Sequence, residues 1–148
     1  MNMNSGKKAN LGKRFTAGLI DYSIIWIFCY VFIYSFGSPN EEGGYSVTGF
    51  LALIPTLFWF CFTVLLEQFF GATLGNAIVG LKPQSLTRSN GELTFGQSLK
   101  RHLVDPLDMF PFGLIGIITI KNTDKHQRLG DLWAQTIVID CKNKNDIK

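Results

Sequence analysis

Two long apolar runs dominate the chain, and after them the pattern breaks into shorter pieces. Phe15 to Phe36 (FTAGLIDYSIIWIFCYVFIYSF) is 22 residues with Asp21 as its only charge. As a helix rising about 1.5 Å per residue it would be roughly 33 Å long, enough for a bilayer core of about 30 Å. It is too long for a signal peptide and has no A-x-A-like cleavage site. Phe50 to Phe70 (FLALIPTLFWFCFTVLLEQFF) is a second run, of 21 residues, with Glu67 near its end. Pro55 within it is a residue that membrane helices tolerate. The pattern therefore predicts transmembrane helices at about 15–36 and 50–70, joined by a loop, GSPNEEGGYSVTG (37–49), rich in turn formers.

The second half alternates faster. Residues 71–95 are glycine-rich, with a strand-like run at Ile78–Leu81 and a turn at Ser89-Asn90-Gly91. Thr94 and Gln97 have the capping-box spacing. Beyond them Phe95, Leu99 and Leu103 recur every four residues, opposite Gln97, Lys100 and Arg101. That predicts an amphipathic cytoplasmic helix lying at the membrane surface. Leu103–Ile120 is a third apolar stretch, interrupted by Asp105, Pro106, Asp108, Pro111 and Gly113. Its uninterrupted part, Phe112 to Ile120, has nine residues, too short for a full crossing. Thr136–Ile139 is a short β-branched run, expected to pair with Ile78–Leu81 as a small β-element. The expected organisation is a basic leader (1–13), a membrane domain (14–139) and a polar tail (140–148). The fold class is a mainly α membrane protein: two transmembrane helices, a third segment that is re-entrant or transmembrane, an amphipathic helix and a small β-element.

Composition agrees. The chain is 47% hydrophobic and 17% charged, with mean hydropathy +0.18, against about 25% charged residues in a typical soluble domain. This argues against an ordinary water-soluble enzyme and against a disordered chain. A net charge of +3 is too small to suggest nucleic-acid binding, and the partner implied is the lipid bilayer. Lys and Arg number 14, and loop 37–49 holds none of them. By the enrichment of these residues on the cytoplasmic side, the N-terminus is expected inside the cell membrane and loop 37–49 outside. If Leu103–Ile120 crossed, six basic residues would lie outside; if it dips in and returns, every Lys and Arg stays inside. A carboxylate at a helix centre costs on the order of 3 kcal/mol on insertion scales, and this segment has two, which favours the re-entrant form.

Charges inside apolar segments carry the candidate chemistry. Arg14 and Asp21 are seven residues apart, two helical turns, on one face that also carries Ala17 and Gly18. Asp21 is about two turns deep and needs a partner from elsewhere in the fold. Glu67, Asp105 and Asp108 are candidates for an ion or proton pathway. The two aspartates are one helical turn apart and could bind a cation or cap the break at Pro106. Cys29, Cys61 and Cys141 are too scattered for a disulfide scaffold or a metal site. His102 and His126 have no partner at ligand spacing and are expected at the surface. No nucleophile motif such as G-x-S-x-G occurs, so no enzyme activity, cofactor or metal is expected.

Taken together, these residues resemble the RDD family of bacterial membrane proteins, named for one arginine and two aspartates. The resemblance starts at Arg14 and Asp21 and continues through Glu67 and GATLGNAIVGLK (71–82), similar to the family's G-x-T-x-G-K-x-x-x-G-L-x-V stretch. Gly91 to Phe95 before SLKRHLV, and the closing RLGDLWAQTIVI (128–139), which supplies Asp131, complete it. Asn76 stands where the family usually has Lys, and Lys82-Pro83 interrupts the strand-like Leu-x-Val. The resemblance implies a membrane protein with no family-wide cofactor; transport is commonly supposed for such proteins, and some relatives are linked to sodium–proton exchange. Arg14, Asp21 and Asp131 are expected to meet in one polar cluster at the cytoplasmic side. Two functions follow as expectations. One is a small cation/proton transporter or transporter subunit, which two spans can form only as a homo-oligomer. The other is a non-transporting membrane adaptor or assembly factor, whose cytoplasmic face binds a membrane protein partner or anionic lipid.

Overall fold

The first apolar run forms α1 (Leu11–Phe36), uninterrupted by proline and closed by Gly37 in extended conformation. Its buried residues, Ala17, Asp21, Ile25 and Phe32, follow helical spacing along one face. The rest of its circumference is apolar and bare: Trp26, Ile27, Tyr30 and Val31 are all more than half exposed. A soluble helix would turn a polar face outward; this one presents hydrocarbon. In this computed structural model, residues 9–111 and 113–143 are described. The leader up to residue 8, Phe112 and the tail from 144 onward lie outside them.

Two-residue strands β1 (Ser38–Pro39) and β2 (Tyr45–Ser46) pair antiparallel, making loop 37–49 a small hairpin. The second apolar run is one continuous helix, Gly49–Phe70, with three changes of pitch. A 3-10 turn (Gly49–Ala52) leads into α2 (Leu53–Phe60), a π segment (Cys61–Leu65) and α3 (Leu66–Phe70). Pro55 lies in the first turn of α2, so the mid-helix irregularity is not its doing. It falls instead at Thr63, whose hydroxyl donates to the Trp59 carbonyl at 2.8 Å and competes with the backbone ladder. Phe28 of α1 stacks on Phe58 of α2 with ring centroids 3.7 Å apart, joining the two helices. Both are long and apolar enough to cross a membrane, and only 22% and 11% of their most apolar windows are buried.

The remaining elements gather at the end where α1 begins and α3 finishes. They are α4 (Leu74–Val79), β3 (Leu81–Ser85), α5 (Phe95–Leu103), α6 (Asp105–Asp108), α7 (Leu114–Asn122), α8 (Leu129–Ala134) and β4 (Thr136–Asp140). β3 and β4 pair antiparallel, from Leu81 opposite Asp140 to Ser85 opposite Thr136. The partner expected at Ile78–Leu81 is thus corrected to Leu81–Ser85, because Ile78 belongs to α4. The proline at 83 does not break the strand. Cys141 N–H donates to the Gly80 carbonyl and Leu86 N–H to the Gln135 carbonyl, both at 2.9 Å. The even positions of β3 are therefore the hydrogen-bonded ones, and Pro83 sits where its nitrogen owes the ladder nothing.

The third apolar stretch is broken into α6 and α7. At about 1.5 Å per residue the nine residues of α7 make roughly 14 Å, under half a bilayer core. Among the described residues, none of its helices has spanning length. Helix α5 carries the expected capping box, with Gln97 N–H on the Thr94 hydroxyl (3.2 Å) and Thr94 N–H on the Gln97 side chain (3.0 Å). Its orientation corrects the simple surface-helix reading. Gln97, Ser98, Arg101 and His102 are buried, while Phe95 and Leu103 are about half exposed. The polar side is the packed side, and the apolar side faces out.

Candidate functional site

Arg101, 1% exposed, is the hub of the packed end. Its guanidinium grips the fully buried Glu67 with two prongs, Nε to Oε1 at 3.1 Å and Nη2 to Oε2 at 3.4 Å. Nη1 donates to Asp131 Oδ1 in a close ion pair and to the Thr136 hydroxyl at 3.1 Å. Ser98, one turn before Arg101, donates to Glu67 Oε1 at 3.0 Å. Arg14 reaches the other oxygen of Asp131, Nη1 to Oδ2, at 3.1 Å. Burial alone would raise the Asp131 pKa, but Arg101, Arg128 and Arg14 around it hold it below the usual carboxylate range. The second apolar helix, α5, α8 and the start of α1 are thereby tied through two carboxylates.

A second layer adjoins the first. His102 Nδ1 lies 2.7 Å from Asp105 Oδ2, and its Nε2 is 3.4 Å from Glu67 Oε2. Burial opposes a charge on this imidazole, but Asp105 and Glu67 outweigh it and hold its pKa up to about 9. Asp105 also accepts from the Tyr22 hydroxyl (2.9 Å) and pairs with Arg128 Nη1 (2.7 Å). Asp108 accepts the Leu129 and Gly130 backbone N–H groups, at 3.0 and 3.1 Å, at the start of α8. Gly130 is required there by contact: a Cβ would lie 3.2 Å from Arg101 Cα. With His102 protonated, Arg14, Arg101, Arg128 and His102 balance Glu67, Asp105, Asp108 and Asp131.

Asp21 is the carboxylate left over. It is 6% exposed and accepts the Gly75 N–H at 2.7 Å. No cation lies within 4.0 Å of it among the described residues. The close approach of α4 to α1 depends on Gly75, where a Cβ would sit 2.9 Å from the Asp21 carboxyl carbon and run into the Ala17 carbonyl. Gly75→Ala is therefore expected to part the two helices and destabilise the protein by about 1–3 kcal/mol. A thermal unfolding curve in detergent checks it. Beside Asp21 lies a cavity with about 100 Å³ open to the centres of water molecules, shared with Arg14, Tyr22, His102, Asp105 and Asp108. That is room for several waters with polar partners to hold them.

The expected cluster of Arg14, Asp21 and Asp131 is thus corrected in part. Arg14 does meet Asp131, but Asp21 is bonded to the backbone of α4, because Gly75 presents an N–H closer than any guanidinium. Glu67, a candidate for the ion or proton pathway, is buried against Arg101 and His102. Asp105 and Asp108 share Arg128, at 2.7 and 3.8 Å, but otherwise differ: Asp105 holds the His102 imidazole and Asp108 the start of α8. His102, expected at the surface, is 3% exposed. Sequence reasoning gave Arg101, His102 and Arg128 no role. The available signal was the stripe Ser98, Arg101, His102 on one helix face, polar in a membrane-associated segment and therefore in need of partners. Among the described residues no group of three or more His, Cys, Asp or Glu side chains suits a metal ion. Cys29, Cys61 and Cys141 are free thiols.

Two long apolar helices with hydrocarbon-bearing exteriors, pinned at one end by a buried ionic network, define a small helical membrane protein. The family model for the RDD family matches residues 8–135, and the chain belongs to that family. No curated protein and no solved structure matches it.

Proposed function

We propose that this protein is a subunit of a small cation/proton transporter of the cell membrane, with Asp21 as the group that takes up and releases the proton. The observation that carries this reading is the position of Asp21. It lies within a membrane helix, with no ion-pair partner within 4.0 Å among the described residues, on a cavity with room for several waters shared with His102, Asp105 and Asp108. A carboxylate held by the Gly75 N–H and the Thr73 side chain, outside the ion pairs, can change its charge without undoing the ionic network around Arg101, whereas Glu67 and Asp131 cannot. Asp105 and Asp108 continue the polar path toward α8. Two spanning helices cannot enclose a path alone, so the working unit is a homo-oligomer. The protein is not an enzyme in this reading.

Both termini are cytoplasmic and loop 37–49 is external, with Leu103–Ile120 re-entering rather than crossing. Support comes from the lysine- and arginine-free loop 37–49 and from the short α7. A reporter fused after Lys148 is expected to be active on the cytoplasmic side; external activity would make that stretch a third crossing. The functional reading is tested by a flux screen with purified protein in proteoliposomes. Collapse of an imposed pH gradient on adding one cation supports it. Absence of any flux, together with co-purification of one stoichiometric partner, would favour the adaptor instead.

A further inference from the structure

We propose that the groove between the end of the second membrane helix and the connection from β3 to α5 binds the headgroup of an anionic phospholipid. The groove has about 330 Å³ open to water centres, far more than a single ion needs, and Gln68, Phe70, Lys82, Gln84, Arg88 and Glu92 line it. It opens where the apolar helix stops: Phe69 and Phe70 are 77% and 78% exposed, and the chain turns at Gly71 immediately after them. Lys82 folds over that turn, its Nζ 3.5 Å from where a Gly71 Cβ would stand. Neither Lys82 nor Arg88 forms an ion pair among the described residues. Two uncommitted cations thus sit at the depth where hydrocarbon gives way to phosphate, beside two phenyl rings on which acyl chains can lie.

A polar atom in the groove narrows the headgroup further. Gln68 donates through Nε2 to the Leu93 carbonyl at 3.4 Å, but its buried Oε1 accepts from nothing among the described residues. A headgroup that carries its own donor beyond the phosphate, such as a glycerol hydroxyl, satisfies this acceptor while the phosphodiester meets the two cations. The groove's two acids are committed elsewhere, Glu92 to the Asn90 amide at 2.7 Å and Glu67 to Arg101 at 3.1 Å, and among the described residues neither pairs with Lys82 or Arg88. A choline headgroup brings no hydrogen-bond donor and no net charge, and a free phosphate brings no acyl chain. The assignment does not rest on the transport reading.

The test is native mass spectrometry of the full chain released from detergent micelles after titration with phosphatidylglycerol, with phosphatidylcholine and glycerol 3-phosphate in parallel. Phosphatidylglycerol is expected to be retained in preference to phosphatidylcholine. Lys82→Gln with Arg88→Gln should weaken its retention roughly tenfold, since each basic residue near a membrane surface contributes substantially to anionic-lipid attraction. Glu92→Gln should strengthen it. Equal retention of the two lipids, or unchanged phosphatidylglycerol binding in the double variant, would overturn the proposal. Competition by equimolar glycerol 3-phosphate would overturn it too, by making the groove a soluble phosphate site. Arg88→Gln alone, on an exposed loop, supplies the same comparison if the double variant does not fold.

Discussion

Replacing Arg101 with methionine is expected to destabilise the protein by about 3–5 kcal/mol, more than any other single change in the ionic network. The side chain is of comparable volume and the site is closed, so loss of packing is the smaller effect; loss of charge is the larger. Glu67 and Asp131, both 0% exposed, would be left buried, and Glu67 would lose both prongs of its guanidinium. Arg14→Met should cost clearly less, because Asp131 keeps Arg101 and Arg128 when Arg14 goes. Unfolding midpoints of the two variants in the same detergent make the comparison. A milder effect at Arg101 than at Arg14 would mean that the hub lies on α1 rather than α5.

Stability is also expected to depend on pH through His102. Its folded pKa, about 9, lies above the ordinary value of 6.5. The imidazolium's contribution is therefore complete below about pH 6.5 and is lost as pH rises through about 9. The shift corresponds to a loss on the order of 3 kcal/mol across that window. His102→Gln should unfold at lower temperature than the native protein at pH 6 and show a flatter profile between pH 6.5 and 9. A native profile that rises over this window would show that His102 is neutral in the folded protein and that Glu67 and Asp105 are satisfied without it.

The sequence announces the spanning helices because their signal is one-dimensional. Length and the rarity of charge locate α1 and Gly49–Phe70 to within a few residues. The capping box at Thr94 and Gln97 is equally local, and so is β4. What sequence could not show depends on which side of each element is inside. In water, the apolar face of an amphipathic helix marks the core; in α5 the rule is reversed, because Phe95 and Leu103 have hydrocarbon or interface to meet. Arg101 and His102 therefore look like surface charges until the partners are seen. The partner of Asp21 was illegible for a different reason: it is a backbone N–H at Gly75, and backbone groups carry no mark in a sequence. The displaced strand at Leu81–Ser85 turns on hydrogen-bond parity at Pro83, which depends on the register with β4.

These contacts divide the buried carboxylates into two sets. Glu67 and Asp131 are fixed by guanidinium groups and hold the end of the molecule together. Asp21 faces a cavity large enough for water and, among the described residues, has no ion-pair partner within 4.0 Å, and the proposed transport depends on that difference. The direct measurement is the decay of an imposed pH gradient in proteoliposomes carrying the native protein or Asp21→Asn, each first shown to be folded by its unfolding midpoint. Asparagine keeps an oxygen for the Gly75 N–H but cannot exchange a proton, so the variant is expected to fold and to lose the flux. Undiminished flux in a folded Asp21→Asn protein would contradict the assignment of Asp21.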